Sequence, residues 1–170
     1  HQDLELSDLL KVSYLKTGRL FEAAAKSGAM LAKATQIEID TFGSLGKNLG
    51  IAFQIQDDIL DYESLQTDTG KPELQDFQEG KITFPLFYAL HQSSKKDKAF
   101  LLSHLGNKKL SKTLKQKVYR IVRSEASMKS AESLLDNYLS EASNNLEKLN
   151  YHSSYQEMLS LIKFSSQRRS

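Results

Sequence analysis

The chain has 170 residues, a formal net charge of +2, no cysteine and four histidines without ligand spacing. This length supports one domain with a real core, whereas the near-neutral balance predicts no polyanion-binding role and no nucleic-acid partner. The lack of cysteine excludes disulfides and thiolate metal sites and fits a reducing, cytoplasmic compartment. The chain contains no run of about 18 apolar residues, so no transmembrane span is predicted.

Apolar residues recur at helical spacing along most of the chain, which predicts an all-α protein. Two prolines and eight glycines leave little room for strands and tight turns. In chain order, helices are predicted over about residues 7–34, 35–63, 82–92, 96–105, 111–126, 127–148 and 153–165. Ser7, Thr35 and Thr83 are the expected N-caps of the first three, and Pro85 falls in a first turn, where proline is tolerated.

The second predicted helix contains glycines at i, i+3 and i+7: Gly43, Gly46 and Gly50. This spacing places them on one face, which favours close approach of a neighbouring helix, with a kink as the alternative. The segment 64–80, "SLQTDTGKPELQDFQEG", is the one long polar connection. A connection of this length is usually functional or disordered, and a functional loop is predicted here.

The stretch 53–61, "FQIQDDILD", places an acidic cluster in a largely apolar segment. Gln54, Asp57, Asp58 and Asp61 stand at i, i+3, i+4 and i+7 and therefore form one stripe of a helix. Apolar residues occupy most of the remaining circumference. A surface helix has the opposite balance, so the stripe is expected to face an internal cleft.

The charge of this stripe needs compensation, because no lysine or arginine lies within residues 48–62. A bound metal, a distant segment or protonation could supply it. A site with oxygen ligands alone favours Mg²⁺ or Ca²⁺. Mg²⁺ usually takes one or two protein carboxylates and shares its remaining positions with water and substrate phosphates, so the expected ligand is a phosphorylated small molecule. The alternative is a solvated acidic face.

Three lysines have settings suited to a phosphate chain. Lys71 in "DTGKPE" and Lys81 in "EGKITFP" lie on or beside the loop that follows the stripe, and Lys16 in "YLKTGRLF" precedes Thr17. Ammonium groups neutralise phosphate as point charges, and a hydroxyl can donate a hydrogen bond to it. Each lysine alone is an ordinary surface residue, whereas the group together favours a phosphate site.

Taken in order, these motifs resemble those of the trans-isoprenyl (polyprenyl) diphosphate synthases, whose second aspartate-rich motif matches "FQIQDDILD". The resemblance covers about residues 5–92 and includes "YLKTGRLF", "GK" and "DFQEGKITFP". It implies an all-α bundle of the isoprenoid synthase type around a deep cavity. It also implies the Mg²⁺-dependent, head-to-tail condensation of an allylic diphosphate with isopentenyl diphosphate.

The resemblance implies a role for each candidate residue. The residues implied to hold Mg²⁺ against the allylic diphosphate are Asp57, Asp58 and Asp61. Those implied to contact that diphosphate are Lys16, Lys71 and Lys81. Thr17 and Gln54 are implied to lie near the reacting carbons, where deprotonation of the intermediate is assisted. Together with Lys16 they form the implied catalytic set. The residue implied to line the isopentenyl side is Phe53.

One departure from the family pattern concerns its first aspartate-rich motif, because the chain contains no second D-D pair. The expectation is therefore a C-terminal half of a synthase with about half of the bundle, inactive alone and forming a homodimer. A non-catalytic helical subunit or interaction module of a heteromeric prenyl synthase is the alternative. The loop sequence "GKP…DFQEGK" resembles that of synthases with long-chain products, although the sequence does not determine product length.

Overall fold

The structure, a computed structural model, describes residues 4–63, 74–150 and 152–167. Regular structure within these ranges is entirely helical, which confirms the all-α prediction. The elements are α1 (Leu6–Ser13), a π-helical turn (Tyr14–Gly18), α2 (Arg19–Leu31), α3 (Gln36–Glu63), α4 (Gln75–Gln78), α5 (Phe84–Gln92), α6 (Lys95–His104), α7 (Lys112–Val122), α8 (Glu125–Glu147) and α9 (Tyr155–Gln167). None of the described helices is long and apolar enough to cross a bilayer.

The predicted helix 7–34 differs from the structure at both ends. It begins at Leu6, with Glu5 rather than Ser7 as N-cap, because the Glu5 backbone N–H donates to the Asp8 carboxylate at 3.0 Å. α2 ends at Leu31 in a Schellman motif, in which Lys33 takes a left-handed φ of 58°. Glycine usually occupies that position, so the sequence carried no stop signal there.

Other boundaries also moved. α7 ends at Val122 and α8 begins at Glu125, whereas the predicted boundary lay between residues 126 and 127. The Ser124 hydroxyl lies 2.8 Å from that of Ser127, a local side-chain contact at the start of α8. Within the predicted loop 64–80, residues 75–78 form the short helix α4, and residues 64–73 lie outside the described residues.

The described residues fall into two compact units. One contains the residues up to Gln56 together with those from Leu134 onward, and the other contains residues 57–133. In the first unit, α2 and α3 approach through glycines: a Cβ on Gly46 would lie 2.5 Å from the carbonyl oxygen of Phe21, and one on Gly50 would lie 2.8 Å from the Cα of Gly18. The predicted close approach is therefore confirmed at these two glycines.

The second unit has a continuous apolar core built on α5, which packs against both α6 and α7. Most residues of α5 are buried, including Phe84, Pro85 and Leu86 in its first turn. Thr83 is its N-cap, as predicted, yet the Thr83 side chain makes no capping hydrogen bond. Its hydroxyl instead lies 3.5 Å from that of buried Tyr62. Another group must therefore accept hydrogen bonds from the backbone N–H groups in the first turn of α5.

Gln56 is a buried polar residue whose replacement should stabilise the protein. Its side chain is 1% exposed, and neither amide atom has a hydrogen-bond partner among the described residues. Gln56→Met keeps the shape and removes the unsatisfied amide, so we expect the free energy of unfolding to rise by about 1–2 kcal/mol and the Tm by roughly 2–8 °C. Gln54→Met is the matched control, because the Gln54 amide accepts a hydrogen bond and its loss should destabilise. A loss of stability in Gln56→Met, measured by thermal and urea unfolding, would contradict this expectation.

Candidate active site

The first unit brings two predicted site residues together across a π-helical turn. The Thr17 hydroxyl donates to the Gln54 side-chain carbonyl oxygen at 3.2 Å, although 37 positions separate the two residues. Gln54 is buried, Thr17 is half-buried, and the neighbouring Lys16 is exposed. Short π-helical segments inside α-helices occur frequently at functional sites. The turn Tyr14–Gly18 carries both Lys16 and Thr17.

Two features hold this turn in place. Gly18 lies against α3, where a Cβ would contact the Ile51 side chain at 3.4 Å. The same Cβ would lie 3.0 Å from the Tyr14 ring of the turn itself. The Tyr14 hydroxyl donates to Glu22 at 2.8 Å and so bridges the π-helical turn. Lys26 also pairs with Glu22, and its hydrogen bond, followed by that of Tyr14, lowers the pKa of the Glu22 carboxyl. The sequence reasoning missed this bridge, because a π-helical turn changes the spacing at which side chains meet.

An apolar groove of ≈ 520 Å³ opens beside the same turn, lined by residues of α2, α3 and α9. Phe53 forms part of its wall, with its ring centroid 5.9 Å from that of Phe21. Phe53 is 36% exposed and Leu20, another lining residue, is 72% exposed. The sequence predicted a role for Phe53, whereas Met158 and Leu161 from the distant helix α9 could be placed there only by the structure.

In the second unit, Asp58 accepts a hydrogen bond from the first backbone N–H of α5. Its Oδ2 accepts the backbone N–H of Phe84 at 3.2 Å, and the Asp58 side chain is 8% exposed. The first N–H groups of a helix lack partners within it and carry partial positive charge. Part of the compensation that the acidic stripe requires therefore comes from a helix N-terminus, a source that the sequence did not indicate. Asp57 and Asp61 are half-buried on the same helix α3.

The aspartates fit a metal ion whose remaining coordination positions are filled by water and substrate phosphates. Within the described ranges, no three His, Cys, Asp or Glu side chains converge to form a metal-binding group. A closed cage of protein ligands is therefore not what these residues form. Mg²⁺, however, commonly takes one or two carboxylates and completes its shell with water and substrate phosphates. The carboxylates of Asp57, Asp58 and Asp61 fit a hard cation held in that way.

Lys81 is engaged by two carboxylates. Its ammonium group lies 2.7 Å from Glu79 and 2.9 Å from Asp76, and 56% of its side chain is exposed. The hydrogen bonds with Glu79 and then Asp76 raise the pKa of Lys81, so this group remains charged throughout the physiological range. Gly80 between them takes a left-handed φ of 80°, which lets the chain turn back. Lys71 lies outside the described residues.

The described features indicate an all-α protein of the isoprenoid synthase type. They are the helical architecture, the stripe of carboxylates on α3 and the hydrogen-bonded threonine–glutamine pair. The family model described as polyprenyl synthetase matches residues 1–122. The chain belongs to this family, which confirms the resemblance drawn from its motifs.

Individual relatives agree with this assignment. The chain is 39% identical over 92 residues to a prenyl transferase of Cyanophora paradoxa, an alignment covering 54% of this chain and 28% of that protein. It is 26% identical, with a TM-score of 0.89, to a polyprenyl synthase from Caulobacter crescentus CB15 complexed with calcium and isoprenyl diphosphate. A decaprenyl diphosphate synthase from Rhodobacter capsulatus gives 25% identity and a TM-score of 0.87.

The extent of these matches is unequal. The two structural comparisons cover 100% and 99% of this chain but 52% of each synthase. The chain thus spans about half the length of the solved structures that it resembles, and the aligned part spans about a third or less of the first curated relatives.

Proposed function

We propose that the chain contributes to a prenyltransferase that condenses an allylic diphosphate with isopentenyl diphosphate. The observation that carries this proposal is the position of the candidate residues. All nine of them, from Lys16 to Lys81, fall within residues 1–122, the range matched by the polyprenyl synthetase family. The proposal assigns the diphosphate of the allylic substrate to the aspartates and lysines, and the reacting carbons to the vicinity of Thr17 and Gln54.

The charged residues act on the leaving group. Elongation breaks the allylic carbon–oxygen bond, and the electron pair leaves with the diphosphate. Mg²⁺, when bound, would neutralise charge that develops on the diphosphate oxygens. Asp57, Asp58 and Asp61 would hold that ion, while Lys16, Lys71 and Lys81 would present ammonium groups to the same oxygens. For Lys81, this requires its ammonium to be shared with, or released from, Asp76 and Glu79.

The Thr17–Gln54 pair acts on the carbon skeleton. The new bond joins the terminal carbon of isopentenyl diphosphate to the allylic carbon, and a proton is then lost from the isopentenyl unit. The Thr17 hydroxyl donates a hydrogen bond to the Gln54 side-chain carbonyl oxygen, which orients the hydroxyl so that its lone pairs can relay the departing proton. The released diphosphate is the final acceptor of that proton. Phe53 would pack against the isopentenyl side, and apolar walls there would keep water from the cation.

Several finer assignments belong to the same proposal. Mg²⁺ is proposed as the metal because phosphate-sharing sites with few carboxylates suit it. A cytoplasmic location is proposed from the lack of cysteine in the chain, which fits a reducing compartment. The homodimer expected from the helix faces that a half-bundle leaves uncovered stays a prediction.

The test is a prenyl-transfer assay on the full-length protein with isotopically labelled isopentenyl diphosphate and a series of allylic diphosphates. We expect labelled, chain-elongated product that disappears on chelation with EDTA and returns when Mg²⁺ is restored. The 170 residues alone should give no product, because they contain a single D-D-x-x-D motif. Lack of product from the full-length protein with every allylic substrate would overturn the proposal. Activity that requires a second, different polypeptide would favour the heteromeric alternative.

A further inference from the structure

A strongly basic surface covers α6, α7 and the turn that joins them. Residues 95–123 contain ten lysines and arginines and a single aspartate, a net charge of +9 in a chain whose total is +2. The remainder of the chain is therefore acidic, with a net charge of −7. The near-neutral total conceals this separation, so the whole-chain balance is a poor guide to the partners of this segment.

The side chains of this basic surface are open to solvent. Its exposed members are Lys95, Lys96, Lys108, Lys109, Lys112, Arg120 and Arg123. None of these seven forms an ion pair with another residue in the described part of the chain. The single acid, Asp97, lies in the first turn of α6, where its carboxylate accepts a hydrogen bond from the hydroxyl of the N-cap Ser94 at 2.9 Å. The positive charge is thus available to an external anion.

Tertiary packing places the two basic helices on one neighbour, α5. α6 and α7 both pack against α5, and the Lys117 ammonium of α7 lies 3.8 Å from the centroid of the Phe100 ring of α6. On α7 and just beyond it, Lys112, Arg120 and Arg123 fall on one helical stripe. The seven-residue connection between the helices adds Lys108 and Lys109.

The basic surface offers charge without an apolar anchor. None of the exposed large hydrophobic side chains of the described residues falls within 95–123. Lys117 covers the Phe100 ring, and Tyr119 packs edge-on against Tyr62. Protein partners bind chiefly through aromatic and apolar anchors, and single-stranded nucleic acids stack on open rings. A surface of charge alone suits an extended anionic plane, and polybasic segments bind anionic phospholipid in this way.

We propose that the basic surface of α6 and α7 docks the protein on a bilayer of anionic phospholipids. The choice of a bilayer over other polyanions rests on the proposed function. The product of prenyl elongation carries an apolar tail, and the transfer of that tail from water into a bilayer is favourable. Docking brings the site of synthesis next to the membrane that takes up the product.

Vesicle co-sedimentation tests this proposal without any substrate. Full-length protein is mixed with vesicles of phosphatidylcholine alone, or of phosphatidylcholine and phosphatidylglycerol in equal amounts, at about 0.1 M salt, where the Debye length is about 10 Å. We expect binding to the anionic vesicles only, and a steep loss as salt is raised. Hydrogen exchange on the bound wild-type protein should show new protection within residues 105–123.

Two variants with equal net charge locate the surface. Changing Lys108, Lys109, Lys112 and Arg120 to Gln should weaken vesicle binding roughly 100-fold or more, since each basic side chain near an anionic membrane strengthens binding roughly fivefold. The control changes four exposed lysines of the other unit to Gln: Lys11, Lys33, Lys47 and Lys148. We expect it to bind within a few-fold of wild type. Circular dichroism confirms that both variants are folded.

Three results would overturn the docking proposal. These are equal binding of the two variants, equal binding of wild type to neutral vesicles, and binding of an RNA duplex in place of anionic vesicles. Should the test variant fail to fold, the hydrogen-exchange map of the wild-type protein decides. Both variants should retain prenyl transfer in vesicle-free buffer. Vesicle binding without prenyl transfer would leave the docking site standing and overturn the proposed function instead.

Discussion

Full-length protein carrying Asp57→Ala should lose Mg²⁺-dependent prenyl transfer by two to three orders of magnitude. Removing a single preorganised group that stabilises transition-state charge costs about 10²–10³ in rate, and Asp57 is proposed to hold the metal ion against the leaving diphosphate. The measurement is steady-state turnover with labelled isopentenyl diphosphate across a range of Mg²⁺ concentrations. The half-saturating Mg²⁺ concentration should rise as the rate falls.

The structure makes Asp57 a cleaner target than Asp58. The Asp58 carboxylate also accepts the backbone N–H of Phe84, so alanine there would leave a buried donor unsatisfied and destabilise the protein by about 1–3 kcal/mol. Asp58→Asn keeps an acceptor oxygen and removes the charge, which separates the two roles. For this variant we expect a lowered rate in a folded protein.

Asp40→Ala is the matched control for the metal ligands. Asp40 lies on the same helix α3, is exposed and accepts a hydrogen bond from Gln36 at 3.1 Å. It precedes Gln54 by about 14 residues, roughly 21 Å along the helix, and we expect turnover within about twofold of wild type because an exposed charge is well screened. Near-normal turnover of Asp57→Ala, or an equal loss of turnover in Asp40→Ala, would contradict the assignment of the stripe as the metal site.

Gly46→Ala should be the most damaging of the conservative changes to the fold. Its Cβ would lie 2.5 Å from the Phe21 carbonyl oxygen and 2.9 Å from the carbonyl carbon. These are backbone atoms of α2 and cannot move aside as a flexible side chain can. Helix α2 must therefore shift, and overpacking of this kind costs about 1–3 kcal/mol or more. For a chain of this size that lowers the Tm by roughly 2–12 °C.

Gly28→Ala is the control for the same chemical change. Gly28 lies in the interior of α2, and a Cβ there would meet nothing within 4 Å. Alanine is favoured over glycine in a helix by about 0.8–1 kcal/mol, so this variant should become more stable. Thermal and urea unfolding of both variants decide the matter. A Gly46→Ala variant as stable as wild type would show that the two helices do not depend on this contact.

Local chemistry accounts for what the sequence predicted correctly. The stripe of Gln54, Asp57, Asp58 and Asp61 depends only on the helical period, and α3 is continuous across it. The Thr35 cap is equally local, since its N–H and hydroxyl both donate to Glu38 three residues on. The all-α class followed from the same periodicity. Such features need no knowledge of where other segments lie.

The misses have nonlocal or concealed causes. Glycine-free left-handed turns, such as that at Lys33, give no signal in the sequence. The π-helical turn at Tyr14–Gly18 looks like ordinary helix, because only its hydrogen-bond register differs. The pairing of Lys81 with Asp76 and Glu79 depends on the turn at Gly80.

The sequence by itself determined the helical class, the family and the order of the acidic and basic groups along the chain, because each follows from spacing within a single segment. Only the tertiary structure decided which partners those groups meet. It placed Asp58 on the first N–H of α5 and Thr17 on Gln54, and it packed the basic helices α6 and α7 against the same helix, α5. Hydrogen bonds and surface charge depend on distances between segments, and only packing of the core sets those distances.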